Sequence, residues 1–140
     1  MLQFSAEQFR QKLASLEAPE KKFNEDELEM LKTVAVEMIK AMRDVFGGSL
    51  DRKTVWERIS NGIPIAAAKS GGKGDKFLAA LLDYVKAEAN FVVSSDGMKR
   101  VLETVVRMTP ETQRQFIRTC VEYRMLLCLE AREEVQNARI

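Results

Sequence analysis

Histidine is absent from this chain, and cysteine, proline and tryptophan are scarce, at two, three and one residues. Without an imidazole there is no histidine base and no Ser-His or Cys-His nucleophile, and two cysteines cannot complete a four-ligand zinc site. Composition therefore argues against an enzyme, a metal centre and a resident cofactor. No apolar run approaches the ~20 residues of a membrane span, and Met1-Leu2-Gln3-Phe4 opens no secretory signal. Cys120 and Cys128 fall eight positions apart on one expected helix, about 12 Å along its axis and beyond the roughly 7 Å that a disulfide bridges. They read as reduced core thiols, which makes the cytoplasm the expected compartment.

What remains is enough for one core. The chain has 140 residues, 46% of them hydrophobic and 31% charged, with a formal net charge of +1. That is too apolar for intrinsic disorder and too balanced for binding a polyanion over the whole surface. Any such contact must be local.

Hydrophobic spacing and helix-start signals cover nearly all of the sequence. Ser5 with Gln8 forms a capping box, with Phe4 and Phe9 as its hydrophobic staple, so a first helix is expected from Ala6 to about Leu16. Asn24 with Glu27, stapled by Phe23 and Leu28, starts a second and longer one. Its apolar positions Leu28, Leu31, Ala35, Met38, Met42 and Val45 recur by three and four until Gly47-Gly48. A shorter helix is expected from Lys53 to Ser60, burying Val55, Trp56 and Ile59, with Asn61-Gly62-Ile63-Pro64 as a turn. Lys69 to Lys76 reads as an exposed, flexible Gly/Lys-rich loop at about 69–75, after which Asp75 caps a helix carrying Phe77, Leu78, Leu81, Leu82, Val85 and Ala89 on one face and ending near Val93. Ser94-Ser95-Asp96-Gly97 precedes a segment with Met98, Val101, Leu102, Val105 and Met108 at helical spacing. Thr109-Pro110 then starts one long last helix, with Phe116, Ile117, Cys120, Leu127, Cys128, Ala131 and Val135 as its inner stripe. The expected fold is all-α: a compact bundle of five or six helices in a single domain, residues 1–140.

Candidate binding residues are basic. Lys69, Lys73 and Lys76 lie on a glycine-rich backbone that can follow a phosphate chain closely, and such contacts are salt-sensitive and blind to sequence. Arg52, Lys53 and Arg58 on the short helix, and Arg107, Arg114 and Arg118 around Thr109-Pro110, are positioned to extend such a track. Trp56 and Phe77 lie near basic residues, as stacking platforms would, but also at spacings that bury them. The acidic group Glu25, Asp26, Glu27 and Glu29 suits the positive end of a helix dipole better than a metal. The stretch Gly47-Gly48-Ser49-Leu50-Asp51-Arg52-Lys53-Thr54 imitates a phosphate-binding loop, but Arg52 replaces the second glycine and a helix precedes it in place of a strand. A helix stop followed by a helix cap is the better reading.

One resemblance adds to this. The order of a basic short helix with Thr54 and Arg58, a linker, Ala80-Leu81-Leu82-Asp83-Tyr84-Val85, and a closing helix Phe116-Ile117-Arg118-Thr119-Cys120-Val121-Glu122-Tyr123-Arg124-Met125-Leu126-Leu127 resembles the helical small subunit of type III CRISPR-Cas effector complexes, over roughly residues 51–131. The resemblance implies a non-catalytic subunit that stacks in copies along a ribonucleoprotein filament, contacting the other protein subunits, the guide RNA and the target strand. Arg58, Arg118 and Arg124 are the positions that match the family pattern. Residues 1–50 hold seven basic and nine acidic residues and residues 51–100 hold nine and six, an imbalance that allows head-to-tail self-association. A different class of function also fits: a protein-binding module, such as a phage-encoded inhibitor or an adaptor, that docks through the Glu25–Phe46 helix without touching nucleic acid.

Overall fold

The computed structural model describes residues 21–46, 52–86 and 96–137. Among them are six helices and no strand: α1 (Glu25–Phe46), α2 (Arg52–Ser70), α3 (Gly74–Lys86), α4 (Asp96–Val106), α5 (Pro110–Glu122) and α6 (Arg124–Asn137). The all-α expectation holds. The helix expected at Ala6–Leu16 and the glycines of the phosphate-loop imitation lie outside the described residues.

The capping box at the start of α1 is formed as its sequence requires. Asn24 Oδ1 accepts the Glu27 N–H at 2.8 Å, and Glu27 Oε1 accepts the Asn24 N–H at 3.3 Å. The Lys21 ammonium donates to Glu27 Oε2 at 2.6 Å, and this bond, together with the backbone bond, holds the carboxyl below its ordinary 4.5. A depressed carboxylate stabilises the fold above its ordinary pKa, and that contribution disappears as pH falls through the lowered value. Replacing Asn24 by alanine is expected to cost about 1 kcal/mol, or about 3 °C in Tm, measured by thermal unfolding near neutral pH. An unchanged midpoint would mean that packing alone sets the start of α1.

From this cap α1 runs through the middle of the bundle and touches each of the other five helices. Leu31, Ala35, Met38, Ile39 and Met42 are fully buried along it. The apolar stripe of the helix expected to dock a partner is therefore part of the protein's own core. Among the described side chains of α1, Met30, near the start of the helix, is the one exposed large apolar residue.

Three elements differ from the sequence-based expectation, and packing explains each. The Asn61–Pro64 turn does not form; α2 continues through Pro64 to Ser70. Proline inside a helix removes one hydrogen bond and crowds the preceding turn, but Ile59, Ile63, Ala66 and Ala67 are all at most 1% exposed, and their burial outweighs that loss. Gly62 permits the closeness: a Cβ there would lie 2.6 Å from Tyr84 Cδ1 and 3.0 Å from Leu81 Cδ1 on α3.

The long last helix is interrupted at Tyr123. The Tyr123 N–H still reaches Thr119 O, but with φ −111° and ψ 16° the residue leaves helical geometry, and the Arg124 guanidinium takes the Val121 carbonyl at 3.0 Å. The Lys32 ammonium sits 4.3 Å from the centroid of the Tyr123 ring, holding the corner against α1. Cys120 and Cys128 consequently lie on different helices, both free and both buried. Burial pushes the Cys120 thiol far up and the Cys128 thiol up to about 11, so both remain protonated.

The third difference is the Lys69–Lys76 loop, of which Gly71, Gly72 and Lys73 alone are non-helical. Gly71 and Gly72 take positive φ, 60° and 82°, a backbone that side-chain-bearing residues rarely adopt. The buried Ser70 hydroxyl closes the turn, donating to Ala67 O at 2.8 Å and accepting the Gly72 N–H at 3.2 Å, while the Lys73 N–H reaches Ser70 O at 3.1 Å. The first intrahelical bond of α3 runs from Phe77 N to Lys73 O, which makes Lys73 the cap and leaves Asp75 in the first turn. Asp96 and Gly97, expected in a linker, are likewise the first residues of α4.

Candidate nucleic-acid interface

The α2–α3 turn is tied to a distant part of the chain by one side chain. Gln113, in the first turns of α5, accepts the Gly74 N–H on Oε1 at 2.9 Å and donates from Nε2 to Met108 O at 3.0 Å. Its amide thus joins the start of α3 to the α4–α5 joint across 39 positions of sequence. The joint itself is rigidly made: Thr109, with extended φ −62° and ψ 157°, caps α5 by accepting the Thr112 N–H, and Pro110 supplies the first helical position. Gly74 is buried against Val105, and a Cβ added there would overlap Val105 Cγ1.

This clamp gathers part of the basic set. Lys69, Lys73 and Lys76 are exposed around the turn, and Arg107, two residues past Val105, is exposed on the joint beside it. Arg114 follows Gln113 and is half-buried; its Nε is enclosed and is without a hydrogen-bond partner among the described residues. Three acids lie on the same elements, Asp75 in the first turn of α3, Glu111 in the first turn of α5 and the exposed Glu103 in the last turn of α4, whose carbonyl accepts the Arg107 N–H. The four exposed bases therefore exceed the neighbouring acids by one.

The other candidates are elsewhere. Lys53 lies sixteen residues before Lys69 on the same helix, about 24 Å away along its axis, and pairs with Glu57 at 3.9 Å. Arg52 opens α2; its side chain is outside the described residues. Arg58 is half-buried and donates to Val85 O at 3.4 Å, near the far end of the α2–α3 hairpin. Arg118 pairs with Glu122 at 4.0 Å and Arg124 holds the Val121 carbonyl. The three arginines singled out by the family resemblance are therefore all engaged within the chain.

Both aromatic candidates pack into or against the core. Phe77 is fully buried and meets Phe116 edge-on, with centroids 6.2 Å apart and planes at 86°. Trp56 packs partly buried against the core. Among the described residues no cluster of three or more cysteine, aspartate or glutamate side chains is arranged to hold a metal ion, and no helix is long and apolar enough to cross a membrane.

Sequence reasoning missed Gln113, because a bond between residues 39 apart leaves no local pattern. It also missed the outer side of α6, where Met125, Leu126 and Leu129 are exposed. There a signal existed: Met125-Leu126-Leu127-Cys128-Leu129 is unbroken apolar sequence, too wide for a single buried stripe. Comparison of the chain with protein-family models, with curated proteins and with solved structures gives no match.

Proposed function

We propose that this chain is a non-catalytic, cytoplasmic subunit that holds a nucleic-acid backbone at the basic end of its bundle, as the small subunit of a CRISPR ribonucleoprotein effector would hold guide and target RNA. The observation that supports the reading is the Gln113 amide, which ties Gly74, next to Lys73, to Met108, next to Arg107. Helix ends support it further. Apart from the Gly74 N–H, which Gln113 holds, the first N–H groups of α3 lie in the same turn as Lys76, and a helix N-terminus favours anions. The turn is short and closed by its own hydrogen bonds, so little backbone entropy opposes binding.

The test is titration of the purified protein with a labelled single-stranded RNA of about 30 nucleotides across a salt series. Binding is expected to weaken steeply with salt. Changing Lys69, Lys73 and Lys76 together to alanine should reduce the slope of log K against log salt by about 2, since each phosphate contact on a single strand contributes about 0.7. Changing Lys53, which lies outside the gathered set, should leave the slope as it is. Absence of binding at low salt would overturn the proposal and leave the protein-binding module as the surviving alternative.

A further inference from the structure

Helix α6 is apolar on two opposite sides. Leu127, Cys128 and Ala131 face the core, whereas Met125, Leu126 and Leu129 are 71%, 48% and 52% exposed. At ~100° per residue the three exposed side chains share one arc of about 100°, a ridge with Glu130 along one flank and Arg132 along the other. Glu133, also exposed, ends the ridge on the Glu130 side.

A groove of matching character lies elsewhere on the surface. Between α3 and α4 is an open cleft of about 260 Å³, walled by Leu78 and Leu82 on one side and by Met98 and Leu102 on the other. Its two charged residues belong to opposite walls, Asp75 to α3 and Lys99 to α4. Among the described residues Asp75, Lys99, Glu130 and Arg132 make no ion pair. Ridge and groove are thus both apolar along the middle and carry opposite charges on their two edges. Within the chain α6 packs on α1, α2 and α5, away from the groove. A ridge that reaches the groove therefore comes from a second copy.

We infer that α6 of one copy seats Met125, Leu126 and Leu129 in the α3–α4 groove of another. One direction of the seated helix puts Glu130 beside Lys99 and Arg132 beside Asp75. The reverse direction sets like charges together, so the contact has a fixed polarity. Because ridge and groove are different surfaces, the contact is heterologous, and a pair retains one unused ridge and one unused groove for further copies. One helix in one groove is a small interface, so association is expected at about 10–100 µM. It is measured without nucleic acid and uses none of the residues proposed to hold RNA, so its failure leaves RNA binding untouched, and the reverse holds too.

Sedimentation velocity of the full-length chain over about 5–500 µM tests it. The weight-average mass should rise with concentration and pass that of two copies. Leu129→Glu in the ridge and Leu102→Glu in the groove should each hold the chain at one copy throughout. Mixed, the two variants should form a pair and nothing larger, since the first retains its groove and the second its ridge; pairing also shows that both are folded. Lys99→Glu should weaken association about tenfold, and adding Glu130→Lys should restore it. A wild-type chain that stays at one copy overturns the inference, as does a mixture of the two leucine variants that forms no pair. Association that survives Leu102→Glu overturns it as well, because the ridge would then have a different seat.

Discussion

Phe116→Ala is expected to lower stability by about 4 kcal/mol, which for a chain of this length is a fall of about 13 °C in Tm. Phe116 is fully buried on α5 and Phe77 fully buried on α3, and their rings meet edge-on between the two helices. Truncation removes the transfer free energy of a phenyl ring and the aromatic pairing, and it leaves a void that dense helix packing fills only in part. Phe116→Leu should lose roughly half as much. Urea or thermal unfolding measures both, and a loss below about 1.5 kcal/mol for the alanine variant would mean that the surrounding helices close over the gap.

Gly74→Ala is expected to cost about 2–3 kcal/mol even though alanine suits a helix better than glycine. The added methyl would overlap Val105 Cγ1, and Val105 is fully buried with a single restricted χ1, so it cannot swing aside as a long side chain would. Either α3 moves away from α4 or the Gly74–Gln113 bond lengthens. A double-mutant cycle isolates the cause: in a Val105→Ala background the penalty of Gly74→Ala should fall by at least about 1 kcal/mol. Equal penalties in the two backgrounds would place the strain elsewhere. If the chain binds RNA as proposed, the same displacement of α3 from the α4–α5 joint should lower RNA affinity along with stability.

These two sites mark the boundary of what can be read without coordinates. Local signals were reliable: Asn24 with Glu27 and Thr109 with Pro110 each act within four residues, and both caps form. The apolar stripes of α1 and α3 were equally legible, because periodicity encodes which side is buried. Pro64 misled because local propensity is overruled when Ile59, Ile63 and Ala67 gain full burial around it. Tyr123 gave no warning, since an aromatic residue in an apolar run breaks a helix only when a partner such as Lys32 holds it at a corner. For the candidate interface, the lysines and Arg107 were visible as candidates and the tie between their two segments was not. That tie is made by a glutamine whose bond to Gly74 belongs to tertiary structure.

The three-residue turn between α2 and α3 also bears on how the chain finds its fold. Among the described helices those two share the most extensive packing of any pair, and only three residues join them. Closing so small a loop takes little entropy and brings Ile63, Leu81 and their neighbours together before distant segments have met. The hairpin is thus suited to be the first tertiary unit to assemble, with α1 docking later onto a surface already in place. Ser70 and the two left-handed glycines, which on the finished protein serve only to turn the chain, then act on the rate at which it folds.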